Sequence, residues 1–205
     1  GWKRSSVGPG AKAGGPNYLI GLGSWRASGG GAPSSTLHLR GLDSRITALI
    51  EASQPSLDYA AFEWLRRGAL SDAVAWDREF GKVRDVSRLG VERNLFRYRP
   101  VPVTVRAAAD ATLAQLLRVV IAGIRAGSDL LLSVDAGLPS AIRHAIGELD
   151  VAVYVETEEQ WHERAAATKP ARVRLIAGDE WALADAVDGD PDVAVYANEV
   201  TTAGR

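Results

Sequence analysis

Hydrophobic and polar positions follow two different rhythms along this chain. Between residues 37 and 92, apolar residues recur at helical spacing, as in the segments LDSRITALIEAS and PSLDYAAFEWLRRG. Beyond it, short apolar runs such as DLLLSVD and VAVYVE alternate with segments of helical periodicity. The pattern therefore predicts a helical section over residues 37–92, followed by an α/β domain over residues 93–205.

The helical section contains several signals for where its helices begin and end. Pro55 suits the first turn of a second helix, because its missing N–H needs no partner there. Gly68 follows the apolar face of that helix and predicts its end. The segment SDAVAWDREFGKV then predicts a separate third helix.

The α/β section reads as a series of strands, each followed by a helix. Its first helix lies within DATLAQLLRVVIAGIRAG, with Asp110 as the expected N-cap and Gly127 as the expected C-terminal glycine. Thr157 and Gln160 predict a capping box at the start of a later helix. Such βαβ units imply a parallel sheet with helices on its faces, so the predicted class is α/β. The order of the strands does not follow from the sequence.

The first part of the chain differs from both sections. Residues 1–25 predict a glycine-rich loop and then a strand, NYLIGLGSW, and residues 26–36, RASGGGAPSST, predict a flexible linker. A phosphate-binding P-loop is not indicated, because Lys12 is followed by alanine and a strand instead of Ser or Thr and a helix.

Composition narrows the classes of function. The chain has 205 residues, 46% of them hydrophobic, and a formal net charge of −1, which allows a core and argues against a general nucleic-acid or membrane surface. It has no cysteine, which excludes disulfides, thiolate metal sites and a cysteine nucleophile from this stretch. No signal peptide or membrane span is indicated, and Gly1 in place of a methionine suggests a fragment or processed form.

Motifs for cofactors, metals or hydrolysis are weak. AAADAT follows the strand VTVRA and DAGLPS follows LLLSV, and neither is the G-x-G-x-x-G of a dinucleotide site. The histidines His38, His144 and His162 lack metal-ligand spacing, and DGDPD at 188–192 is more typical of a solvated turn than of a cation site. We interpret the sheet as one that binds no cofactor. Four tryptophans lie in helical segments and are expected in the core or an interface: Trp64, Trp76, Trp161 and Trp181.

Two stretches of the chain resemble a known family. GWKRSSVGPGAKAGGPNYL resembles the last segment of aldehyde dehydrogenases, above all the glutamate-semialdehyde dehydrogenase module of proline utilization A, and KAGGPNYL is its most specific part. GVERNLFRYRP and AGSDLLLSVDAGLP are similar to the C-terminal domain of the longer proline utilization A proteins. The resemblance implies a Rossmann-like domain of the aldehyde dehydrogenase kind.

The resemblance also implies a function. In that family, proline is oxidised by a flavin module, and the resulting glutamate semialdehyde is oxidised to glutamate with NAD. FAD and NAD are therefore expected in the parent protein and neither in this fragment. By position, Ser5, Ser6, Val7 and Gly8 match the turn whose amides bind the substrate carboxylate. The strand NYLIGL matches part of a flap through which such proteins form homo-oligomers.

Within such a parent, the α/β domain would cover the internal route between the two active sites. The fragment holds no catalytic residue, so we expect it to be inactive alone and to depend on the rest of the parent polypeptide. The resemblance favours a cytoplasmic location, with peripheral membrane association through the parent left open. Two other classes stay open: a non-enzymatic interaction or scaffold domain, and a small-molecule-binding regulator using the strand ends near Asp135 and Gly137.

Overall fold

The computed structural model describes residues 42–85 and 87–202. The predicted anchor loop with Ser5, Ser6, Val7 and Gly8, the flap strand and the linker lie outside the described residues. So does the start of the predicted helical section.

Six α-helices and seven strands make up the described residues. In chain order they are α1 Ser44–Ser53, α2 Tyr59–Ala75, β1 Arg84–Asp85, β2 Leu95–Phe96, β3 Val103–Ala107, α3 Leu113–Ala126, β4 Leu130–Val134, α4 Ser140–Gly147, β5 Ala152–Val155, α5 Glu158–Thr168, β6 Arg172–Ile176, α6 Glu180–Ala186 and β7 Ala194–Tyr196. A 3₁₀ turn over Gln54–Ser56 precedes α2, and a π-helical turn over Trp76–Phe80 follows it. None of the described helices is long and apolar enough to cross a membrane.

Five strands form one parallel sheet in the order β5-β4-β3-β6-β7. The chain runs outward from β3 through β4 to β5, then returns to the other side of β3 and continues through β6 to β7. The strand order therefore reverses between β3 and β6, which is the arrangement of a doubly wound α/β fold. The predicted α/β class and parallel sheet are confirmed. The short strands β1 and β2 form a separate antiparallel pair.

The predicted end of the second helix at Gly68 is wrong. α2 continues through Gly68 to Ala75, so the predicted third helix is the end of α2 and the π-helical turn. The glycine serves a tertiary contact: a Cβ at this position would lie 2.4 Å from Nε of Arg118 on α3. Gly68 is therefore needed because α2 and the Arg118 side chain pack closely, a requirement that local sequence does not reveal.

The predicted N-cap at Asp110 is also wrong. The backbone N–H of Ala111 donates a hydrogen bond to the carbonyl of Ala108, so this segment forms a turn. The helix α3 begins after the turn, with Thr112 as its N-cap. Thr112 forms a capping box with Gln115. The predicted capping box of Thr157 and Gln160 on α5 is confirmed, and Gly127 ends α3 in the left-handed region at φ 70°.

The sheet has a hydrophobic core on each face. The larger core joins the helical section to the sheet, since Ile46, Leu49 and Leu65 belong to the same cluster as Leu117 and Val105. The smaller core lies under α5 and α6, and its buried members are Trp161, Ala165, Val173, Leu175, Leu183 and Val187. Trp161 is fully buried as expected for a core tryptophan, whereas Trp181 is 76% exposed and lies outside the core.

Candidate functional site at the carboxyl edge of the sheet

Ligands of doubly wound α/β folds bind where the strand order reverses, beyond the carboxyl ends of the strands. Here that point lies between the ends of β3 and β6. The backbone N–H of Ala108 donates to the carbonyl of Ile176 at 3.1 Å, so the two strand ends are hydrogen-bonded to each other. Directly afterwards Ala177 adopts a left-handed φ of 55°, which turns the chain toward α6. The β3–β6 ladder is therefore continuous up to the point where the two chain segments diverge.

The helix N-terminus beside this point is occupied by its own side chains. The Thr112 hydroxyl accepts a hydrogen bond from the backbone N–H of Gln115, and Gln115 Oε1 accepts one from the N–H of Thr112 at 2.9 Å. The turn from Ala107 to Thr112 contains no glycine, and it carries the exposed carboxylate of Asp110. A pyrophosphate requires free amides and a close backbone approach, so these residues do not fit a dinucleotide.

A small cleft lies beside the point where β3 and β6 end, between the turns that follow β3 and β4. Its volume is about 180 Å³, and both Asp135 and Gly137 line it, as the sequence-based hypothesis of a binding site at the strand ends required. The Asp135 side chain is 37% exposed, and its Oδ1 lies 3.9 Å from Nη2 of Arg106. This cleft is the open part of the carboxyl edge.

Arg106 occupies the centre of this edge and is fully buried. Its Nη1 donates to the Ser133 hydroxyl at 3.0 Å and to the backbone carbonyl of Glu156 at 3.1 Å. Its Nη2 donates to a carboxylate oxygen of Glu158 at 2.7 Å. One guanidinium thus links β3 to the ends of β4 and β5 and to the start of α5.

The carboxylate of Glu156 completes the cluster. It accepts hydrogen bonds from the Ser133 hydroxyl and from both Nε and Nη2 of Arg164. The hydrogen bonds from Arg164 are the main reason why the pKa of Glu156 lies below its ordinary value, against the opposing effect of burial. The Arg164 guanidinium also lies 4.3 Å from the ring centroid of Tyr154 and 5.1 Å from that of Trp161.

The side chains of this cluster hold the strand ends together. Their polar groups form hydrogen bonds with one another, which leaves few of them available to act on a ligand. Ser133 is buried between Arg106 and Glu156, so its hydroxyl is not placed as a nucleophile toward open space. Sequence reasoning missed Arg106, although the sequence holds one signal for it: the residue interrupts the apolar strand VTVRA, and a buried arginine requires acidic partners. Its partners were not deducible, because they lie on elements far apart in the sequence.

The remaining sequence candidates do not assemble into a metal site. His144 lies on α4 and His162 on α5, and no three His, Cys, Asp or Glu side chains of the described residues could together hold an ion. In the acidic segment 188–192, Asp190 forms an ion pair with Lys169 and accepts a hydrogen bond from the N–H of Asp192. Lys12 and His38 lie outside the described residues, as do Ser5, Ser6, Val7 and Gly8.

No protein-family model matches this sequence, and no curated protein or solved structure is significantly similar to it. The class of protein that the fold itself defines is a doubly wound α/β protein with an added layer of helices.

Proposed function

We propose that this chain is the C-terminal part of a proline-catabolic enzyme of the proline utilization A kind. Such an enzyme oxidises proline through pyrroline-5-carboxylate and glutamate semialdehyde to glutamate. In this proposal the α/β unit, which would be of the aldehyde dehydrogenase kind, binds no cofactor and covers the internal route between two active sites. The segments KAGGPNYL and AGSDLLLSVDAGLP support the family, and the glycine-free turn and capped helix after β3 support the structural role.

The turn from Ala107 to Thr112 is the observation that carries the structural role, because it has no glycine and leads into a helix capped by its own side chains. A dinucleotide-binding unit uses glycines and free amides at the helix that adjoins these strand ends. This chain has a capped helix and an acidic residue, Asp110, at the corresponding place. The same five-stranded arrangement would thus serve as a rigid cover in place of a nucleotide site.

The other parts of the proposed mechanism belong to the parent enzyme. FAD and NAD would be held by its other modules, and Ser5, Ser6, Val7 and Gly8 would present backbone amides to the carboxylate of glutamate semialdehyde. Homo-oligomers would form through the strand NYLIGL. The chain alone, having no cysteine nucleophile, would not oxidise glutamate semialdehyde.

A second candidate is a non-enzymatic regulator that binds a small molecule at the carboxyl edge. The cleft beside Asp135 and Gly137 favours it, because Asp135 places a partly exposed carboxylate there. A carboxylate at this place suits a hydroxyl-bearing ligand such as a nucleoside.

Calorimetry on the chain distinguishes the two candidates. Under the first proposal, NAD binds no more tightly than roughly 100 μM, on the ordinary scale of affinities, and adenosine does not bind. Adenosine binding that is lost in the variant Asp135→Asn would favour the second candidate, with Asp129→Asn as the control carboxylate outside the cleft. NAD binding tighter than roughly 100 μM would contradict the first proposal.

The family itself is tested on the coding sequence and on the parent. We expect the reading frame upstream of Gly1 to encode a dehydrogenase segment with a cysteine nucleophile, and the full-length protein to reduce NAD when given proline. A frame that lacks such a segment would overturn the proposed enzyme and leave the fold description unaffected.

A further inference from the structure

A second cavity lies on the α3 face of the sheet, between α3 and the strands β6 and β7. Its volume is about 450 Å³, within the range of small-molecule sites. The segment from Tyr196 to Thr201 forms one wall. The apolar part of the lining comes mainly from five side chains: Val103, Val105, Val119, Leu130 and Val200.

Arg174 is the charged group of this cavity that has no acidic partner. It is half-buried on β6, and no carboxylate of the described residues forms an ion pair with it. Its guanidinium donates to the backbone carbonyls of Leu175, Tyr196 and Asn198. Burial lowers its pKa, because nothing nearby compensates the charge.

Three other interior arginines of the described residues have the acidic partner that Arg174 lacks. Arg118, which also lines the cavity, has a bidentate ion pair with Asp72. Arg106 and Arg164 on the other face are paired with Glu158 and Glu156. A buried guanidinium held only by neutral carbonyls has weaker bonds than one held by a carboxylate. Arg174 therefore has capacity for an anion that the described residues do not supply.

We propose that this cavity binds a small organic carboxylate with a short, branched apolar chain, and that Arg174 is the residue that pairs with the carboxylate. Its three hydrogen bonds leave two of the five N–H donors of a guanidinium for the ligand. The valine and leucine side chains enclose the apolar chain. The ligand carries one negative charge, because a phosphate dianion would bring a second charge that no other free cation of the described lining could meet.

The lining also explains why the site selects against larger anions. Glu199 lines the cavity with an exposed carboxylate, which disfavours a ligand that carries more than one negative charge. Arg118 holds the carbonyl of Thr201 through Nε at 2.9 Å, which fixes the far end of the wall. A compact monoanion is the ligand that these contacts admit.

The test compares isovalerate with isoamyl alcohol, which has the same branched chain and no charge. We expect isovalerate to bind the full chain at least about tenfold more tightly, since hydrogen bonds to a charged group favour it by that order. Binding is followed by NMR titration, with shifts at the backbone amides of residues 196–201. The variant Arg174→Gln should remove the preference, and Arg143→Gln, an exposed arginine on α4, should keep it.

A second variant separates loss of the site from loss of the fold. Val119→Phe fills the cavity and leaves Arg174 in place, so it should weaken both ligands while the thermal unfolding midpoint stays near that of the wild type. Equal affinity of the wild type for both ligands, no binding of either, or a preference that survives Arg174→Gln would overturn the proposal. The measurement requires no dehydrogenase activity, so it is independent of the proposed enzyme.

Discussion

The two faces of the sheet treat buried charge in opposite ways. On the α5 face, two arginines and two glutamates form a connected cluster in which the carboxylate of Glu156 accepts three hydrogen bonds. On the α3 face, Asp72 has one arginine partner, Arg118, and Arg174 has none among the described acids. The comparison shows how burial and hydrogen-bond partners together determine the protonation of an interior carboxyl group.

The pKa values of the two acids express this difference. Hydrogen bonds from Arg164 lower the pKa of Glu156 in spite of its burial. Burial raises the pKa of Asp72, and the hydrogen bonds and charge of Arg118 only partly oppose that effect. Desolvation is thus the largest effect on the pKa of Asp72, whereas at Glu156 it is outweighed by the hydrogen bonds from Arg164, with a smaller contribution from Ser133.

Arg106→Met should give the largest effect, because it removes the central cation of the connected cluster while keeping similar volume. The Ser133 hydroxyl and the Glu156 carbonyl lose a buried donor, and Glu158 loses its arginine partner and keeps His162 nearby. We expect the free energy of unfolding in urea to fall by about 3 kcal/mol. Arg143→Met on the surface of α4 should change it by less than about 0.5 kcal/mol. A similar small loss at both positions would show that Arg106 contributes no more to the free energy of unfolding than an exposed arginine does.

Gly68→Ala tests the α3 face, where Arg118 packs directly on α2. The new Cβ would lie 2.4 Å from Arg118 Nε, so the ion pair with Asp72 must shift. We expect a loss of about 1–2 kcal/mol by urea unfolding, although alanine favours a helix over glycine. Gly147→Ala on α4 is the matched control: its Cβ meets nothing within 4 Å, and it should stabilise the chain. If both substitutions stabilise it, the close contact at Gly68 is not as described.

Local sequence patterns predicted most of the helices and strands. They did not predict the residues on which the difference between the two faces of the sheet depends. The apolar run of β4 and the capping box of α5 depend on neighbouring residues, and both were predicted correctly. Gly68 was misinterpreted as a helix end because its role depends on Arg118, which lies on another helix. Strand order had the same difficulty, since it depends on which strands pair across the whole domain.

The candidate sites show the same limit more strongly. The missing glycine fingerprint after β3 is a local feature, and the sequence revealed it. The hydrogen bond that joins Ala108 to Ile176 requires two strands that are neighbours only in the fold. In RVRLIAG, the alternation shows that Arg174 shares a face with Arg172, but whether that face is buried and which acids reach it depend on the neighbouring elements.

The smallest effect is expected from Glu156→Gln, and its dependence on pH makes it informative. Because the folded-state pKa of Glu156 lies below its ordinary value of 4.5, the carboxylate stabilises the fold at neutral pH. That contribution is fully present above 4.5 and is lost as the pH falls through the lowered folded-state value. We expect Glu156→Gln to cost about 1 kcal/mol at pH 7, because hydrogen bonds to a charged acceptor are replaced by bonds to an amide.

The difference between Glu156→Gln and the wild type should shrink as the pH of the urea titration is lowered below 4.5, since the wild-type carboxyl then becomes protonated as well. Asp72 should behave in the opposite sense, because its raised pKa makes the folded chain bind a proton more readily than the unfolded chain. Asp110→Asn on the exposed turn after β3 serves as the control substitution and should change the free energy of unfolding at pH 7 by less than about 0.5 kcal/mol. If the cost of Glu156→Gln stays constant from pH 7 to well below the ordinary pKa, the charge of Glu156 does not stabilise the cluster. The size and shape of the side chain would then account for its contribution.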